Sequence, residues 1–289
     1  MKHLLFIINP ISGTRSKKKI PKLINQHLTK EFTSNIINTE YAQHATEIAL
    51  AERHNYDAII AVGGDGTINE VAKGLIGSNT PMGIIPMGSG NGLARHMKLP
   101  LAIDKAIEVL NTFKIKKIDT CQVNGKSFLI TSGVGFEARI GHLFAKQKKR
   151  GFSNYIKAII NGIKGYTSRI YQIEVDGKKI TTQAFTISVA NANQYGNNAF
   201  ISPFSDIQDG LMNLCIIRPF PKVMAVGVST KLLTKRIHKS KYYESILGKK
   251  ITISSLDDNQ YHIDGEPELN KKHLLQYEIL PLSLQILVR

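Results

Sequence analysis

"AIIAVGGDGTINEVAKGL" occupies residues Ala58 to Leu75, and its reading decides the fold. The left half, Ala58-Ile59-Ile60-Ala61-Val62, is short, continuous and rich in β-branched residues, the pattern of a strand covered on both faces. The right half sets Ile68, Val71, Ala72 and Leu75 at helical spacing. Gly63, Gly64, Asp65, Gly66 and Thr67 then form a tight strand-to-helix turn whose backbone N–H groups face out at a helix N-terminus. Such a turn suits a phosphate. Taken alone, the segment also fits an ordinary glycine-rich turn.

Working outward, the first hundred residues alternate. "HLLFIINP" reads as a strand and "KIPKLINQHL" as a helix. "FTSNIINTE" and "ATEIALAERH" repeat that order, and "MGIIP" and "AIDKAIEVL" repeat it again after the central segment. Strands alternating with helices through short loops predict a parallel sheet wrapped by helices. Ligands in such sheets sit at the carboxyl ends of strands, near the switch point. The loops "NPISG", "NTEYAQHA", "GGDGT" and "PMGSGNG" all fall at that edge. Each could be plain turn chemistry. Their co-location is the argument for a site.

Beyond Lys116 the texture changes. Asn124-Gly125, Asp176-Gly177, Asp209-Gly210 and Asp264-Gly265 stand between strand-like runs and predict hairpins in a mainly antiparallel half. A helical insertion is expected over Phe152 to Tyr166, and the change of architecture near Asp119 marks a boundary without a flexible tether. A length of 289 residues favours two domains. The opening apolar run reaches Asn9-Pro10 too soon for a signal segment, and no run approaches membrane-spanning length. Cys121 and Cys215 lack metal-ligand spacing, which predicts a reduced, cytoplasmic protein.

Lys and Arg outnumber Asp and Glu by 38 to 22, a net charge of +16, so the chain is drawn to polyanions: nucleic acid, anionic lipid or phosphorylated substrates. The charge gathers at Arg15 to Lys19, Lys146 to Arg150 and Lys231 to Lys241. A Walker GxxxxGK[ST] sequence and the protein-kinase signatures are absent. "GVGFEA", Gly133 to Ala138, matches a dinucleotide fingerprint, but it lies in the β-rich half without a closing βαβ unit. The nine histidines show no ligand pairing, and a lone His44 or His262 reads as structural.

"NPISG", "GGDGTINEV", "PMGSGNGLAR", "GVGFEA", "ANANQYG", "DIQDGLMNL" and "IDGEP" together resemble the diacylglycerol kinase catalytic-domain family, from Asn9 almost to the C-terminus. That family comprises soluble bacterial lipid kinases and the diacylglycerol, sphingosine and ceramide kinases. The resemblance implies an α/β N-terminal domain of NAD kinase-like parallel-sheet type, residues 1–119 completed by strand 281–289, and a β-sandwich domain, residues 120–280, with nucleotide between them. It implies that Asn9, Pro10, Ile11, Ser12 and Gly13, with Gly64, Asp65, Gly66, Thr67, Ile68, Asn69 and Glu70, hold the ATP phosphates. Thr39, Gly63, Gly88, Ser89, Gly90 and Asn91 would complete the nucleotide site. Asp65 would organise catalysis next to Mg²⁺, while Asp206, Asp209 and Leu211 would form a metal loop. Asp264 and Glu266 would stand near the acceptor hydroxyl, Glu266 as general base.

Bacterial diacylglycerol kinases typically read GTGND where this chain reads "GSGNG", Gly88 to Gly92, which is closer to the GSGNALA of sphingosine and ceramide kinases. Both a diacylglycerol and a sphingoid-type acceptor therefore stay open. The implied partner is a lipid at an anionic membrane surface, bound peripherally; no nucleic acid is expected, and a homodimer is admitted. Lys146, Lys148, Lys149, Arg150, Lys235, Arg236 and Lys239 are the candidate anchoring residues. The rivals are an NAD kinase, against which no NE[YF] nucleoside motif is found, and a non-catalytic binder of membranes or nucleic acid. The carboxylates Asp65, Asp209, Asp264 and Glu266 argue against the latter.

Overall fold

Strand β1 (Lys2–Ile8) buries Leu4 to Ile8 in succession, as a strand covered on both faces must. It belongs to a computed structural model that describes residues 1–11, 16–145, 161–163 and 165–289. The chain divides into two compact units, Met1–Thr120 together with Pro281–Arg289, and Cys121–Leu280.

In the first unit β1 is followed by α1 (Ile20–His27), β2 (Phe32–Asn38), α2 (His44–Glu52), β3 (Ala58–Gly63), α3 (Asp65–Leu75), β4 (Met82–Pro86), α4 (Gly92–His96) and α5 (Ile103–Leu110). The strands lie in the order β2-β1-β3-β4, all parallel. The far side of β4 pairs in parallel with the long final strand, Ile286 opposite Met82. Every residue of β3 is buried, which explains its unbroken apolar run. One core cluster joins Leu4, Phe6, Ile60, Val62 and Ile85 to Ile20 and Ile24 of α1 and to Ala106, Ile107 and Leu110 of α5. The helix after β3 starts at Asp65, three residues ahead of the first apolar position, so the glycine-rich turn is shorter than its sequence suggests.

The second unit is antiparallel, as the glycine dipeptides predict, and forms the β-sandwich that the resemblance implies. After β5 (Lys114–Val123) come β6 (Lys126–Phe128), β7 (Thr131–Gly135), α6 (Phe136–Ala145), β8 (Arg169–Val175), β9 (Lys178–Ala184), β10 (Thr186–Ala190) and β11 (Met212–Ile217). The chain continues through α7 (Ala225–Leu233), β12 (Tyr243–Gly248), β13 (Lys250–Ser254), β14 (Gln260–Ile263), β15 (Glu266–Leu269) and β16 (Leu274–Val288). One sheet runs β16-β13-β8-β9 and the other β12-β11-β10-β7-β14-β15. Tyr171, Ile173, Ile251, Ile253 and Tyr277 of the first sheet share a core with Ile187, Val189, Leu214, Ile216 and Ile263 of the second.

Asn124-Gly125, Asp176-Gly177 and Asp264-Gly265 turn hairpins with both residues at positive φ, the type I′ geometry. Asp209-Gly210 does not. Only Gly210 has positive φ there, and the Asp209 carboxylate accepts the N–H of Leu211 at 2.9 Å, leading the chain on into β11. "GVGFEA" joins a strand to a helix, but β7 is antiparallel to both its neighbours, which removes the dinucleotide-fold reading. Of the helical insertion expected over 152–166, only 161–163, 165 and 166 lie within the described residues, and the first three are helical. The Lys146–Arg150 cluster, Arg15, and the loop residues Ser12 and Gly13 lie outside them. Cys121 and Cys215 are buried thiols that form no disulfide, and burial raises the Cys215 thiol above its ordinary value. Among the described residues no helix is long and apolar enough to cross a membrane.

Candidate functional site

In the first unit the chain turns to opposite sides of the sheet after β1 and after β3, so the crevice of a switch point opens between their carboxyl ends. Register brings four loops level there. Ile8 pairs with both Asn38 and Val62, and Gly63 pairs with Pro86. Backbone bonds continue past the strand ends: Asn9 donates to Val62 (3.2 Å), Thr39 to Ile8 (2.9 Å) and Met87 to Gly63 (2.7 Å). Asn9, Thr39, Gly63 to Glu70, and Gly88 to Asn91 are therefore brought to one edge. Asn9 also folds its own loop, its Oδ1 accepting the N–H of Ile11 at 3.2 Å.

Asp65 is the hub of this edge. Its Oδ2 accepts the N–H of Asn91 and its Oδ1 the N–H of Gly92, each at 2.8 Å. A carboxylate in the first turn of α3 also complements the helix dipole. Asn91 sits in the left-handed region at φ 52° and clasps Gly88 at both ends, accepting its N–H and donating to its carbonyl at 2.9 Å. Arg95 Nε donates to the Gly90 carbonyl at 3.0 Å. The two glycine loops touch through their backbones. A Cβ on Gly88 would lie 2.8 Å from the Gly64 Cα, so a side chain there would force the loops apart. Glu70, one helical turn further on, accepts the N–H of Gln43 at 3.1 Å and so secures the loop after β2.

Two features of α3 are left for a ligand. A Cβ on Gly66 would meet nothing within 4 Å, so the helix N-terminus is open there. The Thr67 hydroxyl is buried and has no hydrogen-bond partner among the described residues. An unsatisfied buried hydroxyl in the first turn of a helix fits a phosphate oxygen as acceptor.

In the second unit Asp264 and Glu266 share the β14–β15 hairpin and divide their tasks. The Asp264 carboxylate accepts three backbone N–H groups, from Leu129 (2.8 Å), Ile130 (2.8 Å) and Thr131 (3.0 Å). It fixes the hairpin to the chain entering β7. Glu266 is exposed at the start of β15. Asp264→Ala would leave three amides without their acceptor, and a loss of stability on the order of 3 kcal/mol is expected in a denaturant titration. A loss below about 1 kcal/mol would show that water replaces the carboxylate at no cost.

Asp206 and Asp209 stand exposed in the loop ahead of β11, each with one oxygen given to a nearby backbone amide, that of Gln208 (3.0 Å) and of Leu211 (2.9 Å). Two carboxylates with neighbouring backbone carbonyls make an oxygen-only donor set, which suits a hard cation that keeps several waters. No group of three His, Cys, Asp or Glu residues that could hold a metal occurs among the described residues. Any hard cation at this loop would be held by few protein ligands and keep most of its waters.

A second polar cluster escapes the sequence reading. Glu137 of α6 faces His262 of β14, Oε1 to Nε2 at 3.0 Å, although 125 residues separate them. Ser188 and Tyr195 both donate to its other oxygen. The only local signal is an acidic residue inside "GVGFEA" and a histidine two places before Asp264.

Residues 3–123 match the family described as "diacylglycerol kinase catalytic domain", and residues 131–288 match the "YegS C-terminal NAD kinase beta sandwich-like domain". The chain is 28% identical to a diacylglycerol kinase of Staphylococcus saprophyticus over 277 residues, covering 92% of this chain and 89% of that protein. It is 27% identical to a diacylglycerol kinase of Bacillus subtilis, covering 92% and 90%. A solved diacylglycerol kinase structure from Bacillus anthracis superposes with a TM-score of 0.80 over 100% of this chain and 97% of that one. At 20% identity this last likeness speaks for the fold alone.

Proposed function

The chain belongs to the diacylglycerol kinase catalytic-domain family, and from that premise we propose that it transfers the γ-phosphoryl group of ATP to a hydroxyl of an amphiphilic lipid. The observation that carries the proposal is the edge where four loops meet the open N-terminus of α3, with the buried Thr67 hydroxyl unpaired beside it. Phosphoryl transfer needs mainly alignment and charge neutralisation. The α3 amides and the loops held by Asp65 align the phosphates. Glu266 accepts the proton of the acceptor hydroxyl as its oxygen bonds to the γ-phosphorus, while the bond to the bridging oxygen breaks and ADP leaves. Asp206, Asp209 and the Leu211 carbonyl would hold Mg²⁺, which when bound neutralises phosphate charge.

The acceptor is met at an anionic membrane surface. Residues 212–243 hold seven Lys and Arg and no Asp or Glu. The 3-10 turn and helix within that stretch leave Val223 84% and Val226 77% exposed. Apolar side chains amid an excess of positive charge suit the interface of an anionic bilayer, where each basic residue contributes about 1 kcal/mol. Diacylglycerol and sphingoid acceptors fit the proposal equally.

Labelled ATP with Mg²⁺, offered vesicles of extracted membrane lipid and NAD in parallel, tests it. Label is expected in a chloroform-soluble product. Activity on vesicles should rise with anionic lipid and fall with salt, since exposed charges are screened beyond about 8 Å at physiological ionic strength. Val226→Glu should weaken activity on vesicles and spare a soluble short-chain acceptor. Label in NADP would make the protein an NAD kinase. No labelled product, with binding to vesicles or nucleic acid retained, would make it a non-catalytic binder.

A further inference from the structure

The hairpin that carries Glu266 is held at a second point, through a buried cluster that the phosphoryl-transfer reading does not use. His262 and Glu137 have side chains only 4% and 11% exposed. The Gly265 N–H donates to His262 Nδ1 at 3.2 Å. A ring nitrogen that accepts carries no hydrogen, so in the neutral imidazole the hydrogen lies on Nε2 and is donated to Glu137 Oε1 at 3.0 Å. Glu137 Oε2 is occupied in turn by the Ser188 hydroxyl at 2.5 Å and by the Tyr195 hydroxyl. Burial, then the charge of Glu137 and the hydrogen bond to it, hold that phenol protonated well above its ordinary value. Both hydroxyls reach this oxygen as donors, and they also lie 2.6 Å from each other. The carboxylate selects the imidazole tautomer, and the tautomer aims a lone pair at Gly265, the residue before Glu266.

The surrounding chain makes room for this arrangement. Gly133 lies opposite His262 in the β7–β14 register. A Cβ on Gly133 would come within 1.8 Å of Glu137 Oε1 and 2.3 Å of the Ile187 carbonyl. A buried carboxylate–imidazole pair is an expensive way to hold a hairpin whose type I′ turn already satisfies its local geometry. We propose that Glu137 and His262 are positioning residues for phosphoryl transfer: they fix the Asp264–Gly265–Glu266 turn so that the Glu266 carboxylate is presented in one place. The inference rests on Glu266 being the base. With Asp264 holding one side of the turn and His262 the other, Glu266 is constrained on both flanks.

Two substitutions of His262 separate the two hydrogen bonds. In His262→Asn the Oδ1 can take the place of Nδ1 and accept from Gly265, while contact with Glu137 is lost. In His262→Gln the amide can still donate to Glu137, but Gly265 loses its acceptor. Expected is a ten- to hundredfold fall of about that size in kcat for His262→Gln with KM for ATP unchanged, because a misplaced catalytic group costs rate rather than donor affinity. His262→Asn should restore most of the rate. Hydrogen exchange at the Gly265 amide should quicken in the first variant and stay slow in the second. Glu137→Gln frees the ring to adopt the other tautomer, which turns an N–H toward Gly265, so it should behave like His262→Gln and carries the test if that variant fails to fold.

In a Glu266→Gln background, His262→Gln should add no further loss, since the group it positions is already gone. Equal losses in His262→Asn and His262→Gln, or the same fold-loss with and without Glu266, would overturn the inference while leaving Glu266 as the base. Full turnover in Glu266→Gln alone would instead overturn the assignment of the base, and this inference with it.

Discussion

Asp65→Asn is expected to lower phosphotransfer by about a thousandfold and to lower the melting temperature as well. Both oxygens of the native carboxylate accept backbone N–H groups, from Asn91 and Gly92, at 2.8 Å. An asparagine can offer only one acceptor oxygen, and its NH₂ would point hydrogen at hydrogen toward the second amide. One part-buried N–H would be left unsatisfied, at about 1–3 kcal/mol. The loop Gly88–Gly92 would then lose its tie to α3, and with it the close seating of Gly88 on Gly64. Under the proposed reaction, loss of the negative charge would also remove the group expected to organise catalysis next to Mg²⁺. The two effects separate in a titration with ATP. Loop release alone raises KM and lets the rate recover at saturation, whereas loss of the charge lowers kcat. A folded variant with near-normal turnover at saturating ATP would reduce Asp65 to a loop tie.

Glu266→Gln is expected to reduce kcat by about two to four orders of magnitude with no change in melting temperature. The side chain is exposed at the start of β15, where an interaction of its charge with water or a neighbour adds little to stability. A glutamine of the same shape retains the contacts and cannot take the acceptor's proton. The fall should be the same on a soluble short-chain acceptor as on vesicles, because the role is chemical and independent of the membrane. A variant that keeps more than a third of the wild-type rate on both would show that the proton leaves by another route. These two substitutions thus differ in kind, one acting on architecture and charge together, the other on proton transfer alone.

Much of this was legible in the sequence because strands and helices write their faces into local spacing. The fully buried β3, the helical rows of α3 and α5, and three of the four glycine-containing hairpins follow from periods of two or 3.6 and from turn chemistry. The same locality explains what was not legible. α6 follows directly on a strand ending in Gly135 at φ 85°, and the glycines and β-branched residues ahead of it mask where the period changes. Asp209-Gly210 carries the same dipeptide as a hairpin, but its aspartate bonds to its own strand entry. The partners within the candidate site lie far apart in sequence. Asp65 binds amides 26 and 27 residues away, and Asp264 binds amides more than 130 residues away. Periodicity says which way a side chain faces; it does not say which amide it will meet. Glu137 carries no local signal of its partner and His262 reads as structural for that reason, since only the pairing of β7 with β14 brings them together.

The long strand β16 has a consequence for how the protein is made. Its last residues, Pro281–Arg289, belong to the first unit, whose other residues end at Thr120. They tie in by Ile286 against Met82, by the Leu282 N–H on Asp119 at 2.7 Å and by the Ser283 carbonyl, which accepts the Gly77 N–H at 2.8 Å. On the ribosome most of the first unit is therefore made long before its last strand. For the time taken to synthesise the intervening 160 residues, Cys121 to Leu280, the outer edge of β4 lacks its neighbour. An open edge of that kind is a template for foreign strands. The sheet stays open until that strand emerges, and a chain interrupted before Pro281 is left with this edge of β4 uncovered.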